Sequence, residues 1–193
     1  ASKYPGIKLR TGDENFFFFF EKWYALLMPH FERHWYGNGG NIIMVQIENE
    51  YGAYGACDEV YKDFLRDETL KYVKSDAVLF TVDWPYDNEL TCGRVKDVFM
   101  TIDFGRADAQ QVDKNFAKLR EYQPTGPLVN TEFYPGWFTL WQGGHSVTNT
   151  TALSETLDYM LSIGVNVDFY VYFGGTNFGF WSGEFELILN FKK

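Results

Sequence analysis

Several predicted strands of this sequence end in a carboxylate with an aromatic residue beside it. Glu48 and Glu50 follow the apolar run 41–47, and Glu132 precedes Phe133 at the end of another run. Two glutamates on separate strands suit glycoside hydrolysis, in which one acid protonates the leaving oxygen and the other carboxylate attacks or activates water. The spacing leaves open whether Glu48 or Glu50 is the acid, since residues i and i+2 share a face of a strand.

Two aspartates extend the same pattern. Asp83 and Trp84 follow the run 77–82, and Asp103 lies within the run 98–104. A single acid at a strand end is usually a solvated surface group, but several of them beside aromatic rings indicate a polar pocket. Because Trp and Tyr rings pack well on the C–H faces of sugars, the pattern favours a carbohydrate as ligand.

The hydrophobic pattern predicts strands that alternate with helices. Apolar, β-branched runs bounded by Gly, Pro and polar residues are typical of buried strands, and apolar residues three and four apart are typical of helices. Such alternation predicts βαβ units around a parallel sheet. The predicted helices cover residues 13–35, 57–73, 109–119 and 153–161, and the predicted strands cover residues 41–47, 77–82, 98–104, 128–133 and 165–173.

Two α/β architectures fit this order: an open doubly wound sheet and a (β/α)₈ barrel. The open sheet usually has a glycine-rich phosphate-binding turn after its first strand. Here Glu-Asn-Glu-Tyr-Gly follows the run 41–47, so we favour the barrel, whose active site lies at the C-terminal ends of the strands. A complete barrel takes about 250 residues. The five predicted strands therefore indicate a partial (β/α)₈ barrel.

Composition limits the partners of the protein. The net charge is −9 and no cluster of Lys and Arg is present, which argues against a nucleic acid partner. No apolar run approaches the roughly 20 residues that span a bilayer, and no signal peptide is visible. His30 and His34 have the i, i+4 spacing of zinc ligands, but no third ligand accompanies them, so we expect no metal or other cofactor.

Two further features depend on the cellular compartment. Cys57 and Cys92 allow either one disulfide or two free thiols, and the residues alone do not decide between them. Asn149-Thr150-Thr151 is a glycosylation sequon that would be used in a secreted protein.

The segment around the first two glutamates closely resembles a known enzyme signature. Residues 39–52 read GGNIIMVQIENEYG and match the GGPII-x-x-Q-x-ENEYG signature of the family 35 glycoside hydrolases, except at Asn41. Residues 126–137 and 170–178 are similar to two other segments of that family. The resemblance covers about residues 5–183. It implies hydrolysis of β-galactosides in a barrel whose catalytic glutamates follow strands four and seven.

Carried over residue by residue, the resemblance implies a role for each polar group. Glu50 would be the general acid/base and Glu132 the nucleophile of a retaining double displacement. Asn49 would contact the 2-hydroxyl of the sugar, and Tyr134 would hold Glu132 in place and ionised. The residues that would line the galactose pocket are Trp137 and Tyr170.

The cysteines and the probable compartment also follow from the resemblance. Cys57 and Cys92 occupy the positions of two cysteines of the animal enzymes, so the resemblance implies a disulfide between them. A disulfide fits a secretory route, and therefore the lysosome, the vacuole or the extracellular space.

The sequence differs from the family at both ends. The first three βα units have no counterpart, so the chain would correspond to about strands four to eight, and residues 184–193 form an atypical tail. We expect one incomplete catalytic domain over residues 1–193. Three alternatives stay open: a galactoside-binding product without hydrolysis, an inactive fragment, and a relative that cleaves another β-glycoside. The sequence does not indicate the aglycone or the oligomeric state.

Overall fold

Five parallel strands form one sheet and follow each other in the sheet as they do along the chain. The computed structural model describes residues 4–139 and 144–175. Each strand pairs in parallel with the next one. The strands are β1 (Met44–Asn49), β2 (Val78–Asp83), β3 (Phe99–Asp103), β4 (Val129–Phe133) and β5 (Asn166–Phe169).

Helices supply the crossovers that parallel neighbours require. One helix precedes the sheet, a short and a long helix connect β1 to β2, and one helix lies in each later connection. This arrangement confirms the predicted α/β class. The helices are α1 (Glu14–Leu27), α2 (Tyr51–Tyr54), α3 (Glu59–Val73), α4 (Asp87–Gly93), α5 (Ala109–Tyr122) and α6 (Thr150–Ser162).

The long helices begin at polar capping residues that the sequence places before each apolar pattern. The side chains of Asp58, Asp108 and Asn149 accept hydrogen bonds from backbone N–H groups in the first turns of α3, α5 and α6. Such caps satisfy donors that have no partner inside the helix and stabilise it by about 1 kcal/mol. The helix starts are therefore local properties of the sequence.

The first part of the core lies where α1 and α3 pack on β1 and β2. Leu65 and Val73 of α3 are fully buried there. The aromatic run of α1 contributes through Phe17, which stacks on Phe64 with ring centroids 3.7 Å apart. Phe18 on the same run remains exposed, because five consecutive rings exceed one helix face.

The second part of the core lies under β3 and β4. Val112 and Leu119 of α5 pack there with Ile102, Phe133 and Met160, and all but a trace of each side chain is buried. In both parts of the core, helices pack against the strands. The C-terminal ends of the strands are therefore available for a site.

Three predicted elements have wrong boundaries. The predicted helix 13–35 ends at Leu27 and continues as three short 3₁₀ turns, because Pro29 lacks the N–H that an α-helix requires. The first strand starts at Met44 and ends at Asn49, three residues and two residues later than predicted. The last strand ends at Phe169, four residues early, so Tyr170 follows the strand instead of lying within it.

The sheet is consistent with part of a (β/α)₈ barrel. Among the described residues, β1 and β5 each pair with one neighbour, so the sheet has two edges. No helix in the described ranges is long and apolar enough to cross a membrane. The atypical tail, residues 184–193, lies outside the described residues.

Candidate active site

Three carboxyl groups converge at the C-terminal edge of the sheet. Glu50 directly follows β1, Asp103 ends β3, and Glu132 lies next to Asp103 in the register of β4. One carboxylate oxygen of each lies within 4.8 Å of the other two. On a flat sheet, β1 and β4 would be about 14 Å apart, three strand spacings. Their side chains therefore meet across a strongly curved sheet, as in the wall of a barrel.

A tight turn directs Glu50 into this cluster. Its backbone is left-handed (φ 47°, ψ 42°), and its N–H donates to the carbonyl of Val82 over 2.8 Å. The N–H of Gly52 donates to Asp83 Oδ1 over 2.8 Å. A side chain at Gly52 would collide with the backbone of Glu89, so only glycine fits there. Two hydrogen bonds to β2 thus fix the turn that positions Glu50.

Two aromatic side chains contact the Glu50 carboxylate at the same oxygen. Trp84, which follows β2, donates its indole N–H to Glu50 Oε1 over 2.9 Å. The hydroxyl of Tyr134 lies 3.4 Å from the same atom. No N–H or tyrosine hydroxyl of the described residues donates to the second oxygen, Oε2, and the Asp103 carboxyl also shares a hydrogen bond with the Glu50 side chain.

Tyr134 does not make the contact that was expected of it. Its hydroxyl contacts Asp103 Oδ2 and Glu50 Oε1, not Glu132. The expectation that Tyr134 holds Glu132 is wrong for this structure, because the Asp103 carboxyl takes the hydroxyl instead. No described residue donates a hydrogen bond to the side chain of Glu132.

The surroundings of the cluster favour protons on its acids. Glu132 is 9% exposed, and burial raises its pKa to about 7, with smaller contributions from the negative charges of Glu50 and Asp168. Asp103 is 1% exposed, and burial raises its pKa to about 8, with the charges of Glu50 and Glu132 acting in the same direction. Three crowded carboxyls can share protons, and as oxygen ligands they could also hold a divalent cation.

Glu48, the alternative acid, has a different environment. Arg10 donates to both of its carboxylate oxygens over 2.9 and 2.7 Å. The hydroxyl of Tyr61 donates to Oε1 over 2.6 Å, and the backbone N–H of Asn49 donates to Oε2. These four hydrogen bonds occupy both oxygens of the Glu48 carboxylate.

Comparisons with known proteins identify the family of the chain. The glycosyl hydrolases family 35 profile matches residues 1–189. A mouse protein named beta-galactosidase-1-like protein is 43% identical over 94% of this chain. Mouse and human proteins named beta-galactosidase are 41% and 39% identical over 92% of it.

The chain belongs to glycosyl hydrolases family 35. The aligned regions make up 28%, 27% and 26% of these three relatives, so the chain spans about a quarter of their length.

The remaining predicted sugar contacts of this family 35 chain are exposed side chains. Asn49 is exposed beside Glu50, and its Oδ1 accepts a hydrogen bond from Gln46 over 3.0 Å. Trp137 is 62% exposed, with its ring centroid 5.9 Å from that of Tyr134. Tyr170 is 56% exposed and follows β5. Exposed rings near a polar cluster are suited to stacking on a sugar.

Cys57 and Cys92 of the family 35 chain form a disulfide, with their Cα atoms 5.0 Å apart. It ties the segment after α2 to α4. The buried Lys62 donates to the carbonyl of Cys92 over 2.7 Å, which fixes α4 on α3. The disulfide therefore anchors the segment that follows the Glu50 turn and α2.

Asn149 lies at the rim of the site. Its Oδ1 accepts the N–H of Ala152 and caps α6, and the residue is exposed. It lines a cleft of about 430 Å³ together with Tyr134 and Trp137. Glycosylation of its free amide nitrogen stays a prediction.

Sequence reasoning missed several contributors to the site. The sequence marks Asp103 and Trp84 as strand-end residues but gives neither a role, because their contacts depend on the curvature of the sheet. No sequence pattern marks Asp168, whose charge raises the pKa of Glu132. Arg10 lies 38 residues before Glu48, and no local pattern signals that pairing.

Proposed function

We propose that this family 35 chain carries the catalytic groups of a retaining β-galactosidase, which hydrolyses terminal non-reducing β-D-galactose residues. The observation that carries the proposal is the separation of Glu50 and Glu132, whose nearest carboxylate oxygens lie within 4.8 Å. Retaining enzymes hold their two carboxyls about 5–5.5 Å apart, whereas inverting enzymes need about 6.5–9.5 Å to admit a water molecule. The relatives named beta-galactosidase support galactose as the sugar.

We assign the sheet to strands four to eight of a (β/α)₈ barrel. The curvature required by the acid cluster and the simple strand order support this assignment. Glu50 directly follows β1, and Glu132 lies on β4. These strands are three positions apart in the sheet, as are barrel strands four and seven. The site would then lie at the end of the barrel where such enzymes carry their catalytic groups.

The reaction would proceed by double displacement. Glu132 attacks the anomeric carbon while Glu50 protonates the departing oxygen through Oε2, since Trp84 and Tyr134 both contact Oε1. Glu50 then removes a proton from water, and that water releases galactose with its β-configuration retained. Asn49 would bind the 2-hydroxyl, and Trp137 and Tyr170 would line the pocket.

The protonation states set the pH range of the reaction. Burial and the negative charges of Glu50 and Asp168 raise the pKa of Glu132 to about 7. Because a nucleophile must be ionised to attack, activity should decline as the pH falls below about 7.

The proposal is tested by assaying an aryl β-galactoside beside an aryl β-glucoside. We expect turnover of the galactoside, with the β-anomer of galactose formed first in the NMR spectrum. Glu132→Gln should lower kcat at least about 10³-fold, because no nucleophile remains. The control is the same change at Glu155, an exposed residue of α6. Turnover by Glu132→Gln, or an α-anomer as first product, would refute the mechanism.

One observation favours a galactoside-binding product as the second candidate. Both sheet edges are unpaired among the described residues, and the rings of Trp137 and Tyr170 are more than half exposed. An open site of this kind would bind a sugar but admit water too freely for efficient hydrolysis. Saturable galactose binding by a protein that turns over neither glycoside would favour this candidate over the hydrolase.

The compartment is part of the proposal. A disulfide between Cys57 and Cys92 is present in the structure and persists in oxidising compartments, which supports a lysosomal, vacuolar or extracellular protein.

A further inference from the structure

Asp103 is the most deeply buried acid of the site and has no assigned role. It ends β3 and is 1% exposed. Its Oδ2 contacts the hydroxyl of Tyr134, and its Oδ1 has no hydrogen-bond partner among the described residues. Each of Glu50 and Glu132 has a carboxylate oxygen within 4.8 Å of it. An ionised carboxylate in this position would lack most of the donors that it needs.

We propose that Asp103 is a protonated positioning residue, which donates its carboxyl proton to the Tyr134 hydroxyl oxygen so that Tyr134 can donate its own proton to Glu50. This inference rests on the proposed role of Glu50 as general acid/base. It gives Tyr134 a function different from the one that the resemblance implied, because the hydroxyl serves the acid and not the nucleophile.

Burial and both glutamates favour the neutral form of Asp103. Glu50 and Glu132 act through their negative charge, and Glu50 also shares a side-chain hydrogen bond with Asp103. Asp83 ends the neighbouring strand β2. Arg106 lines the same cleft, but it is exposed and forms no ion pair with Asp103 in the described part of the chain. Burial and the two glutamates accordingly raise the pKa of Asp103 to about 8, although the hydroxyl of Tyr134 acts in the opposite direction.

Tyr134 remains a hydroxyl under the same conditions. Burial is the largest cause that raises its pKa, and contact with Asp103 adds to the effect. The tyrosine therefore has a single proton to donate, although two acids contact its oxygen. If Asp103 were ionised, the Tyr134 hydroxyl would donate its hydrogen bond to Asp103 and none to Glu50. If Asp103 is neutral, its carboxyl donates a hydrogen bond to the Tyr134 oxygen, and the Tyr134 hydroxyl donates to Glu50.

The direction of this chain of hydrogen bonds determines which oxygen of Glu50 reacts. With Tyr134 donating, Glu50 Oε1 accepts two hydrogen bonds, one from the hydroxyl at 3.4 Å and one from Trp84 at 2.9 Å. An oxygen that accepts two donors behaves as the carbonyl oxygen of the acid. The transferable proton then lies on Oε2, which is free to meet the leaving oxygen of the substrate.

Two substitutions at Asp103 distinguish a neutral side chain that donates a hydrogen bond from an ionised carboxylate. Asn keeps an N–H donor in place of the neutral carboxyl, whereas Ala removes it. We expect Asp103→Asn to lower kcat less than about fivefold and Asp103→Ala to lower it about 100-fold, to the level of Tyr134→Phe, with KM close to wild type. Because Asp103 acts through Tyr134, the double variant Asp103→Ala, Tyr134→Phe should be no worse than either single variant.

Infrared spectroscopy tests the protonation state independently of activity. The wild-type spectrum should contain a protonated carboxyl band that is missing from Asp103→Asn, whereas Asp83→Asn, which removes another buried aspartate whose pKa is raised to about 7, should lose a different band. A chelator is present throughout, because a cation shared by the three carboxylates would require Asp103 to be ionised. Loss of activity on chelation, absence of the band, or a folded Asp103→Asn as inactive as Asp103→Ala would each overturn the proposal. If the wild type hydrolyses no galactoside, the proposed function fails while the band still reports on Asp103.

Discussion

Glu48 and Glu132 are two glutamates at the same edge of the sheet, and they are buried to the same extent, 9% exposed in each case. Glu48 receives four hydrogen bonds, two from Arg10 and one each from Tyr61 and the backbone of Asn49. Glu132 receives none at its side chain from the described residues, and two negative groups face it. The two glutamates are therefore equally buried, but hydrogen-bond donors surround Glu48 and negative charges surround Glu132.

This difference separates a structural acid from a reactive one. A buried carboxylate whose two oxygens already accept four hydrogen bonds has no lone pair left for a substrate. A buried carboxyl without donors is costly, and that cost is typical of sites where the protein keeps a group reactive. The alternation along β1 could not decide between Glu48 and Glu50, but the donors around Glu48 favour Glu50 as the acid that is free to react.

The same chemical change at the two glutamates should have opposite effects on stability, and this is the largest effect that we expect. Glu48→Gln leaves the Arg10 guanidinium without its carboxylate and should lower the free energy of unfolding by about 3 kcal/mol. Glu132→Gln removes an unfavourable buried charge and should change it by less than about 1 kcal/mol, towards greater stability. Urea unfolding at pH 7 measures both values.

A control separates the ion pair from the packing of the arginine stem. Arg10 also lies over the ring of Tyr54, with its guanidinium carbon 4.5 Å from the centroid. Arg10→Lys keeps much of the stem and the charge but not the two-pronged contact, so it should lose part of the stability that Glu48→Gln loses. Equal stability losses in Glu48→Gln and Glu132→Gln would remove the distinction between the two acids.

The sequence predicted the parts of this comparison that depend on local pattern. Strand ends placed Glu48, Glu50 and Glu132 at one edge, since hydrophobic runs and their polar ends are read directly from the chain. The α/β class was confirmed for the same reason. The assignment of the chain to the family, which came from the signature around Glu50, was confirmed as well.

The parts that failed depend on contacts between distant segments. The partner of Tyr134 is Asp103, 31 residues away, and only the curvature of the sheet brings the two together. The last strand was predicted too long because Tyr170 and its neighbours have strand-like side chains. The aromatic content that favours a strand can equally serve a ligand-facing loop, and propensity alone does not separate the two.

The pH dependence of stability tests the Glu132 side of the comparison and should give a smaller effect. Burial and negative neighbours raise the pKa of Glu132 to about 7, from about 4.3 in an unfolded chain. The folded state therefore binds this proton more tightly. The resulting stability is fully present below about pH 4.3 and is lost as the pH rises through about 7.

Glu132→Gln cannot lose that proton, so its stability relative to wild type should rise by about 2.4 kcal/mol between pH 5 and pH 7.5. Urea midpoints at the two pH values, with the slopes compared, measure the difference. Parallel changes in the two proteins would mean that Glu132 titrates normally and that its environment is not as unfavourable as the contacts indicate.

Removing one hydrogen-bond donor of Glu48, the hydroxyl of Tyr61, should have the smallest effect. Tyr61→Phe removes one donor, the buried hydroxyl 2.6 Å from Glu48, and should lower the free energy of unfolding by about 1–2 kcal/mol. The control Tyr54→Phe removes an exposed hydroxyl that donates to the Leu9 carbonyl over 2.8 Å, and should cost less than about 0.5 kcal/mol. If Glu48 is purely structural, Tyr61→Phe should leave kcat within about twofold of wild type at temperatures where it is folded. A large fall in kcat with stability unchanged would instead place Glu48 among the reacting groups, because a lost donor would then have altered chemistry and not folding.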